Sequence, residues 1–316
     1  MSMGVRTLLF GVLFYSQAAL AFNWCGTLFF SPGTTQPNYM VVDGKLRSYS
    51  LYVPPEPVFD SPLLIDFHGF GANSLSESQS SCWRKTAARE GAAVVYPQGK
   101  SLVPAWGAGD YCCVGGSEND TAFALMLASC LTRPSVRQWG VTIDANRVYA
   151  VGLSNGGAMA GRLACEHSDV FAGAVVTSQS FPFGSSEQCR AIDIHGQQKR
   201  AVPVLEARGT VDVIVPYIYS WGWSVPATES LNRWQRAMGC QGPAVYQDIC
   251  DRPGSGTDCQ YGFSWCETYH QCDGGAVVSQ CTLIDGHLLY KNNQDYNVCD
   301  DGWFMLEQFE LMNQDE

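Results

Sequence analysis

The chain has 316 residues, of which 46% are hydrophobic, so it has ample material for a large core. Its formal net charge is −11, and so acidic a surface disfavours nucleic acid and anionic membranes as partners. The sequence has no linker rich in proline, serine or threonine, no block of like charges and no internal repeat, which favours a single domain.

Residues 1–21 are predicted to be a secretory signal peptide. They combine one arginine, an apolar stretch from Leu8 to Tyr15 and a small-residue ending at Ala21. Cleavage there would leave residues 22–316 as one secreted domain. The apolar stretch is too short to cross a membrane and no later segment is long enough, so we expect no membrane partner after cleavage. A buried N-terminal helix is the alternative interpretation.

The cysteines support an oxidising compartment. All 14 follow residue 21, and this even number predicts up to seven disulfides, whose connectivity the sequence does not reveal. No C-x-x-C motif and no histidine pair with zinc spacing occurs, so no metal is expected. Six cysteines crowd residues 240–281, a segment poor in aliphatic residues. We expect cross-links to hold this insertion, which forms either a wall of the binding site or a remote surface flap.

The rest of the chain predicts strands that alternate with helices. The expected strands are 46–53, which alternates like an edge strand, 63–67, 92–96, 148–153, 171–177, 202–207 and 276–284. The expected helices are 78–90, 121–130, one that ends near 166, and 227–238. Such repeated units imply a mostly parallel central sheet with helices on both faces, and the disulfide-rich insertion precedes its last strand. Ligands then bind at the carboxyl ends of the strands.

The most informative stretch is a G-x-S-x-G pentapeptide centred on Ser154. An apolar run from Val148 precedes it and a small-residue helical pattern follows, which is the order of the nucleophile elbow in the α/β-hydrolase fold. Ser154 is therefore expected to stand at the carboxyl edge of the sheet, beside the first amides of a helix. A purely structural glycine turn is the alternative.

A serine nucleophile needs a histidine base, which follows the acid in the chain order of this fold class. His287 is the preferred base because it follows the strand 276–284 and a short turn. The other histidines precede Ser154, end a helix or lie in polar loops: His68, His167, His195 and His270. Asp212, at the end of the strand 202–207, is the preferred acid. Its rivals are Asp193, Asp251 and Asp285, the last of which more simply shapes a turn.

Two backbone amides are expected to form an oxyanion hole. One belongs to Asn155, directly after the nucleophile, and the other to the loop from His68 to Gly71, where Phe70 is the preferred donor. Glycines in this loop permit the backbone geometry. A strand-ending turn is the simpler interpretation of His68 and Gly69.

Six segments together resemble one secreted esterase family, that of feruloyl esterases, acetylxylan esterases and poly(hydroxybutyrate) depolymerases. They are YVPP at 52–55, FHG at 67–69, VYPQG at 95–99, GLSNGGAMA at 152–160, GTVD at 209–212 and DGH at 285–287. The resemblance implies Ser154, Asp212 and His287 as the catalytic triad. Two departures border the pocket: Arg208 replaces a histidine common in the family, and Leu288 follows the base where a Trp-Pro pair is common.

These features predict a secreted serine carboxylesterase that cleaves feruloyl or acetyl esters on cell-wall polysaccharide, without metal or organic cofactor. An extracellular polyester depolymerase or lipase is the alternative enzyme. A catalytically silent secreted binding protein on this fold is the alternative of another class. Asn119 suits both an N-glycosylation site and a helix cap. The aromatic residues within 217–223 suit a ligand platform or one face of a buried strand.

Overall fold

A computed structural model describes residues 23–56, 59–108, 119–133, 142–181, 189, 199–222, 224–249, 264–291 and 296–311. The predicted signal peptide lies outside these residues and stays a prediction. Three of the rival candidates also lie outside them: Asp193, His195 and Asp251.

One sheet of ten strands organises the described residues. In chain order the strands are β1 (Thr35–Val42), β2 (Lys45–Tyr52), β3 (Ser61–Phe67), β4 (Ala93–Pro97), β5 (Ile143–Leu153), β6 (Gly173–Thr177), β7 (Val204–Gly209), β8 (Val245–Asp248), β9 (Trp265–Tyr269) and β10 (Val278–Leu283). Across the sheet they run β1-β2-β4-β3-β5-β6-β7-β10-β9-β8. The six central strands, β4-β3-β5-β6-β7-β10, are parallel to one another. Two strands pair antiparallel at each side of them, β2 and β1 at one edge and β9 and β8 at the other. The predicted mostly parallel sheet is confirmed.

Helices cover both faces of this sheet, as predicted. They are α1 (Ser74–Ser80), α2 (Trp83–Glu90), α3 (Asp120–Leu131), α4 (Asn155–Glu166), α5 (Ala227–Ala237) and α6 (Val298–Leu306). Helices α3, α4 and α5 contribute to one core, and α2 and α6 to the other. Strand β5 serves both, because Val148 and Ala150 face the first core while Tyr149 and Val151 face the second. None of the helices described is long and apolar enough to cross a membrane.

Two predicted elements differ from the structure. The strand expected at the sheet edge is β2, and β1 pairs along its outer side. The helix expected over 78–90 is interrupted at Ser81, whose backbone is extended at φ −69° and ψ 140°. The Ser81 hydroxyl donates to the buried carboxylate of Asp66 at 2.6 Å. This bond to a strand distant in sequence overrides the local helical pattern. The sequence pattern did not indicate β1, β8, β9 or α6.

Five disulfides join all ten cysteines of the described residues: Cys25–Cys130, Cys82–Cys299, Cys165–Cys189, Cys240–Cys272 and Cys266–Cys281. The other four cysteines are Cys112, Cys113, Cys250 and Cys259, which lie outside these residues. The last two of the five bonds belong to the cysteine-rich segment, where one of them links β9 to β10. The predicted cross-linked insertion before the last strand is therefore confirmed.

Candidate active site

Ser154 occupies a tight turn between β5 and α4. Its backbone adopts φ 58° and ψ −121°, a strained conformation for a residue with a side chain. Strand β3 passes so close that a Cβ atom on Gly156 would lie 1.8 Å from the carbonyl oxygen of Phe67. Only glycine fits there, which accounts for the last glycine of the pentapeptide. The turn therefore presents Ser154 at the carboxyl edge of the sheet, where the sequence predicts it.

Asn155 is the first residue of α4, so its amide has no acceptor within the helix and lies at the positive end of the helix dipole. Its side chain is fully buried and has a second role that sequence reasoning missed. Asn155 Oδ1 accepts from the backbone N–H of Trp106 at 2.7 Å, and Nδ2 donates to the Trp106 carbonyl at 3.1 Å. The nucleophile turn thereby holds the loop that follows β4.

The loop after β3 passes beside the nucleophile. A Cβ atom built on Gly69 would lie 3.6 Å from the Cβ of Ser154. Gly71 has φ 75° and donates its N–H to the carbonyl of Pro104 at 2.8 Å, which ties this loop to the loop that follows β4. Phe70 lies between these glycines with an exposed side chain. The loop predicted to carry the second oxyanion amide is thus adjacent to Ser154.

His68 is buried beneath this loop and cannot serve as the base. Its Nε2 accepts from the Gly99 amide at 3.0 Å and its Nδ1 donates to the Gly69 carbonyl at 2.8 Å. Burial lowers the pKa of His68 to about 4, so the ring stays neutral at ordinary pH. The indole N–H of Trp106 donates to the His68 carbonyl at 2.8 Å. His68 is therefore a fixed support of the loop. This agrees with the sequence analysis, which did not prefer it as the base because it precedes Ser154.

The structure brings Asp212 and His287 together. His287 Nδ1 donates to Asp212 Oδ2 at 2.7 Å. The other carboxylate oxygen, Oδ1, accepts from the amides of Ile214 at 2.8 Å and Val215 at 2.9 Å. Burial raises the pKa of Asp212, but the bonds from His287 and from the two amides outweigh it and hold that pKa below its usual value. Asp212 is therefore an ionised carboxylate that orients the His287 ring.

The carboxyl end of β6 joins the nucleophile turn to the histidine loop. Ser154 donates its N–H to the Thr177 carbonyl at 2.8 Å. The next residue, Ser178, donates its hydroxyl to the His287 carbonyl at 2.7 Å and has φ 53°. Sequence reasoning missed this connection. The sequence near Ser178 gives a single indication of this connection, a small polar residue directly after a buried strand.

The remaining rivals lie elsewhere or do other work. His167 ends α4, where burial lowers its pKa, and His270 lies after β9 at the amino edge of the sheet. Asp285 accepts from the Gly286 amide at 2.6 Å and shapes the turn before His287, as predicted. Asp193 lies outside the described residues.

Two predicted alternatives at other positions also have a structural outcome. Asn119 caps α3, because its side chain accepts from the Ala122 amide at 3.0 Å. Of the aromatic residues after Asp212, the described ones, Tyr217, Tyr219 and Trp221, do not lie in one of the ten strands, and Trp223 lies outside the described residues. Tyr217 is half-buried and shares a hydrogen bond of 2.8 Å with Thr282, whereas Tyr219 is exposed. A buried strand face is therefore the wrong interpretation of that stretch.

The cysteine-rich segment reaches both edges of the sheet. Strand β9 begins opposite the carboxyl end of β10, so Ile249 and Ser264, bonded at 3.1 Å, lie on the same edge as His287. The Cys240–Cys272 disulfide lies at the opposite edge, beside the turn that leads into β10. Ile249 and Ser264 thus bring the segment to the edge that carries His287, residues 250–263 lie outside the described residues, and the role of the segment as a wall stays a prediction.

A model of the family described as esterase PHB depolymerase matches residues 47–220, more than half of the chain. The chain belongs to this family. The matched region contains Ser154 and Asp212 but ends before His287, so the choice of base in this family member rests on the geometry above.

Two similar proteins carry names of polysaccharide esterases. The chain is 26% identical over 265 residues to feruloyl esterase B of Piromyces equi, a match that covers 79% of this chain and 42% of that protein. It is 25% identical over 180 residues to a bifunctional acetylxylan esterase/xylanase of Neocallimastix patriciarum, which covers 57% and 23% of the two chains. The chain thus spans less than half the length of these relatives.

Among solved structures, an acetyl xylan esterase from Aspergillus awamori shares the fold. The TM-score is 0.58 at 13% identity, and the match covers 83% of this chain and 94% of that one. Together with the parallel sheet and the turn at Ser154, this similarity confirms the predicted α/β-hydrolase fold of this protein.

Proposed function

We propose that this protein is a secreted serine carboxylesterase that acts on feruloyl or acetyl esters of cell-wall polysaccharide. The observation that carries the proposal is the 2.7 Å bond from His287 to a buried, ionised Asp212, at the same sheet edge as the strained turn of Ser154. Five disulfides support a compartment outside the cytosol. The names of the two polysaccharide esterases support the substrate class.

In the proposed reaction each group has a role in acyl transfer. Asp212 accepts a hydrogen bond from the Nδ1–H of His287, which leaves Nε2 free to take the proton of Ser154 as the serine oxygen attacks the ester carbonyl. The amides of Asn155 and Phe70 then stabilise the negative oxygen of the tetrahedral intermediate. His287 returns the proton to the departing alcohol, and water releases the acid from Ser154 by the same steps.

The second candidate function, polyester depolymerisation, has one specific observation in its favour. Exposed apolar side chains lie beside the Phe70, Asp212 and His287 loops, and we call them the apolar rim: Phe70, Leu102, Val103, Val213, Ile214 and Leu288. A rim of this kind suits the apolar part of a substrate, whether a feruloyl ring or the repeat unit of a polyester. It suits an acetylated sugar less well.

A fluorophosphonate that labels activated serines tests the reaction class. We expect stoichiometric labelling of the wild-type protein and none of Ser154→Ala with an unchanged melting temperature. A folded wild-type protein that stays unlabelled would favour the silent binding protein instead.

An ester panel then tests the substrate class. Methyl ferulate, acetylated xylan, short p-nitrophenyl esters and a polyester film should be compared at equal labelled active-site concentration. Turnover of methyl ferulate or acetylated xylan above that of the film supports the proposal. A labelled enzyme that erodes the film and spares both polysaccharide-type esters would be a polyester depolymerase.

A further inference from the structure

Arg208 of β7 carries a fully buried guanidinium group near the catalytic acid. Its Nη2 donates to the carbonyl oxygen of Pro216 at 2.9 Å and to that of Val215 at 3.4 Å. Its Nη1 lies 3.4 Å from Glu206 Oε1, and both side chains of this ion pair are inaccessible to solvent. Burying such a pair gains little stability by itself, so the arrangement calls for another explanation.

Val215 is held from both sides. Its carbonyl faces Arg208, whereas its amide donates to Asp212 Oδ1 at 2.9 Å. Asp212 uses its remaining oxygen for His287. A continuous chain of bonds therefore runs from the guanidinium through Val215 to the acid and on to the base.

The loop that contains the acid has few other anchors. Its start is tied to β10 and the following turn, because Thr210 donates to the Leu283 carbonyl at 2.8 Å and Val211 to the Asp285 carbonyl at 3.1 Å. Among the described residues, Arg208 and Asp212 are the two whose side chains hydrogen-bond to the backbone of 213–216. Without Arg208, residues 213–216 would keep the side-chain bonds from the acid, and the next anchors would be those of Tyr217, which bonds Thr282 at 2.8 Å and accepts from the Ala227 amide at 2.8 Å.

Glu206 fixes the guanidinium to the rigid part of the fold. Its Oε2 accepts from the Ser230 hydroxyl at 2.6 Å and from the Trp234 indole at 2.8 Å, both on α5. Its Oε1 accepts from Gln280 of β10 at 2.9 Å. Glu206 and Arg208 are two residues apart in β7, so their side chains lie on the same face of the sheet. The Glu206 carboxylate therefore supplies the counter-charge of the guanidinium and also anchors it to α5 and β10.

We propose that Arg208 is the positioning residue of the catalytic acid. Its planar fork holds the carbonyls of Val215 and Pro216, so the loop amides stay aimed at Asp212 Oδ1 and Oδ2 stays aimed at His287. This inference rests on the proposed triad. Arg208 touches no reacting atom and acts entirely through Asp212.

Three variants test this role. Arg208→Lys keeps the charge, but one ammonium group cannot reproduce the fork that spans the carbonyls and Glu206. Arg208→Met combined with Glu206→Gln removes the pair without leaving a buried charge unpaired. Arg200→Lys is the matched control, because Arg200 also holds backbone carbonyls, those of Ser168 at 2.6 Å and Phe171 at 3.0 Å, but at the amino edge of the sheet.

Kinetics with p-nitrophenyl acetate, per labelled active site, give the expected outcome. Arg208→Lys should lower kcat by about tenfold to a hundredfold with little change in KM, and Arg200→Lys should leave kcat within about twofold. In an Asp212→Ala background the same Arg208 change should cost less than about twofold, because the two residues act as one unit.

Equal losses of kcat in the wild-type and Asp212→Ala backgrounds would overturn the proposal, as would an unchanged kcat in both Arg208 variants. A second readout does not depend on esterase activity. The proton shared by His287 and Asp212 should give a strongly downfield NMR resonance that disappears in Asp212→Ala and weakens in Arg208→Lys. A resonance unchanged in Arg208→Lys refutes the positioning role. A positive result in a protein that cleaves no ester refutes only the proposed function.

Discussion

Gly209 at the end of β7 packs directly against the turn that carries the proposed base. A Cβ atom on Gly209 would lie 2.3 Å from the carbonyl oxygen of Gly286 and 2.4 Å from that of Asp285. Both contacts are with backbone, so no side chain can rotate away. The substitution Gly209→Ala must therefore push the turn before His287 away from the strand that leads to Asp212.

The size of this displacement follows from the contact distances. An ordinary contact of a Cβ atom begins near 3.4 Å, so the turn has to retreat by about 1 Å. The bond from His287 to Asp212 is 2.7 Å long, and a shift of that size takes it beyond hydrogen-bonding distance. Misplacement of a catalytic group by about 1 Å costs roughly a hundredfold in rate. We expect kcat to fall by about that factor.

Gly286→Ala provides the matched control. Gly286 lies in the same turn, but no heavy atom lies within 4 Å of a Cβ built on it. Both variants should be assayed with p-nitrophenyl acetate, with folding checked by circular dichroism and thermal unfolding. Gly286→Ala should keep kcat within about twofold of wild type. A folded Gly209→Ala enzyme within about threefold of the wild-type kcat would refute the steric argument, and so would an equal loss in both variants.

Three further outcomes are expected. Burial raises the pKa of Asp66 from 3.8 to about 7, so the native state holds a proton that the unfolded chain has lost, and the free energy of unfolding should fall between pH 4 and pH 7. Urea unfolding at pH 5 and pH 8 should show a drop of about 3 kcal/mol in wild type that shrinks in Asp66→Asn; an equal drop in both would exclude Asp66 as its source. Asp212→Asn and His287→Ala should each lower kcat by about a thousandfold at an unchanged melting temperature, and near-normal turnover of a folded His287→Ala would assign the base elsewhere. Thiol titration of the denatured, unreduced protein should find few or no free thiols, whereas four or more would contradict a fully cross-linked scaffold.

The features that the sequence predicted well are those that local pattern determines. The strand, glycine turn and helix around Ser154 follow from adjacent residues, and the chain order of acid and base adds Asp212 and His287. These three residues lie at strand ends, and the ends of parallel strands meet at one edge of a sheet. Their common edge could therefore be predicted before any contact was known.

Contacts between distant segments escaped the sequence. Strands β8 and β9 are short, and they join the sheet because β9 pairs with β10 and β8 pairs with β9. The alternation of polar and apolar residues in the sequence therefore did not reveal them. The break at Ser81 depends on Asp66, 15 residues earlier. Arg208 was noticed as a departure from the family pattern. Its role remained hidden because its acceptors are backbone carbonyls, which have no signature in a sequence.

Two buried acidic side chains lower the stability of this fold but help to hold the proposed catalytic loops in position. Asp66 lies on the strand that leads into the oxyanion loop, and Glu206 on the strand that leads to the acid. Each would be costly unless hydrogen-bonded, and each ties its strand to a distant element, Asp66 to Ser81 and Glu206 to α5.

The cross-links lie where they offset that cost. Cys82 follows Ser81 directly and is bonded to Cys299, so the chain beside the contact of Ser81 with Asp66 is joined covalently to α6. Cys281 of β10 is bonded to β9, beside the Gln280 that contacts Glu206. A disulfide stabilises mainly by restricting the unfolded chain, so it adds stability without altering the polar contacts of the native state. The fold can therefore keep buried acids behind its proposed catalytic loops, where apolar packing alone would be more stable but would not hold the loops in one orientation.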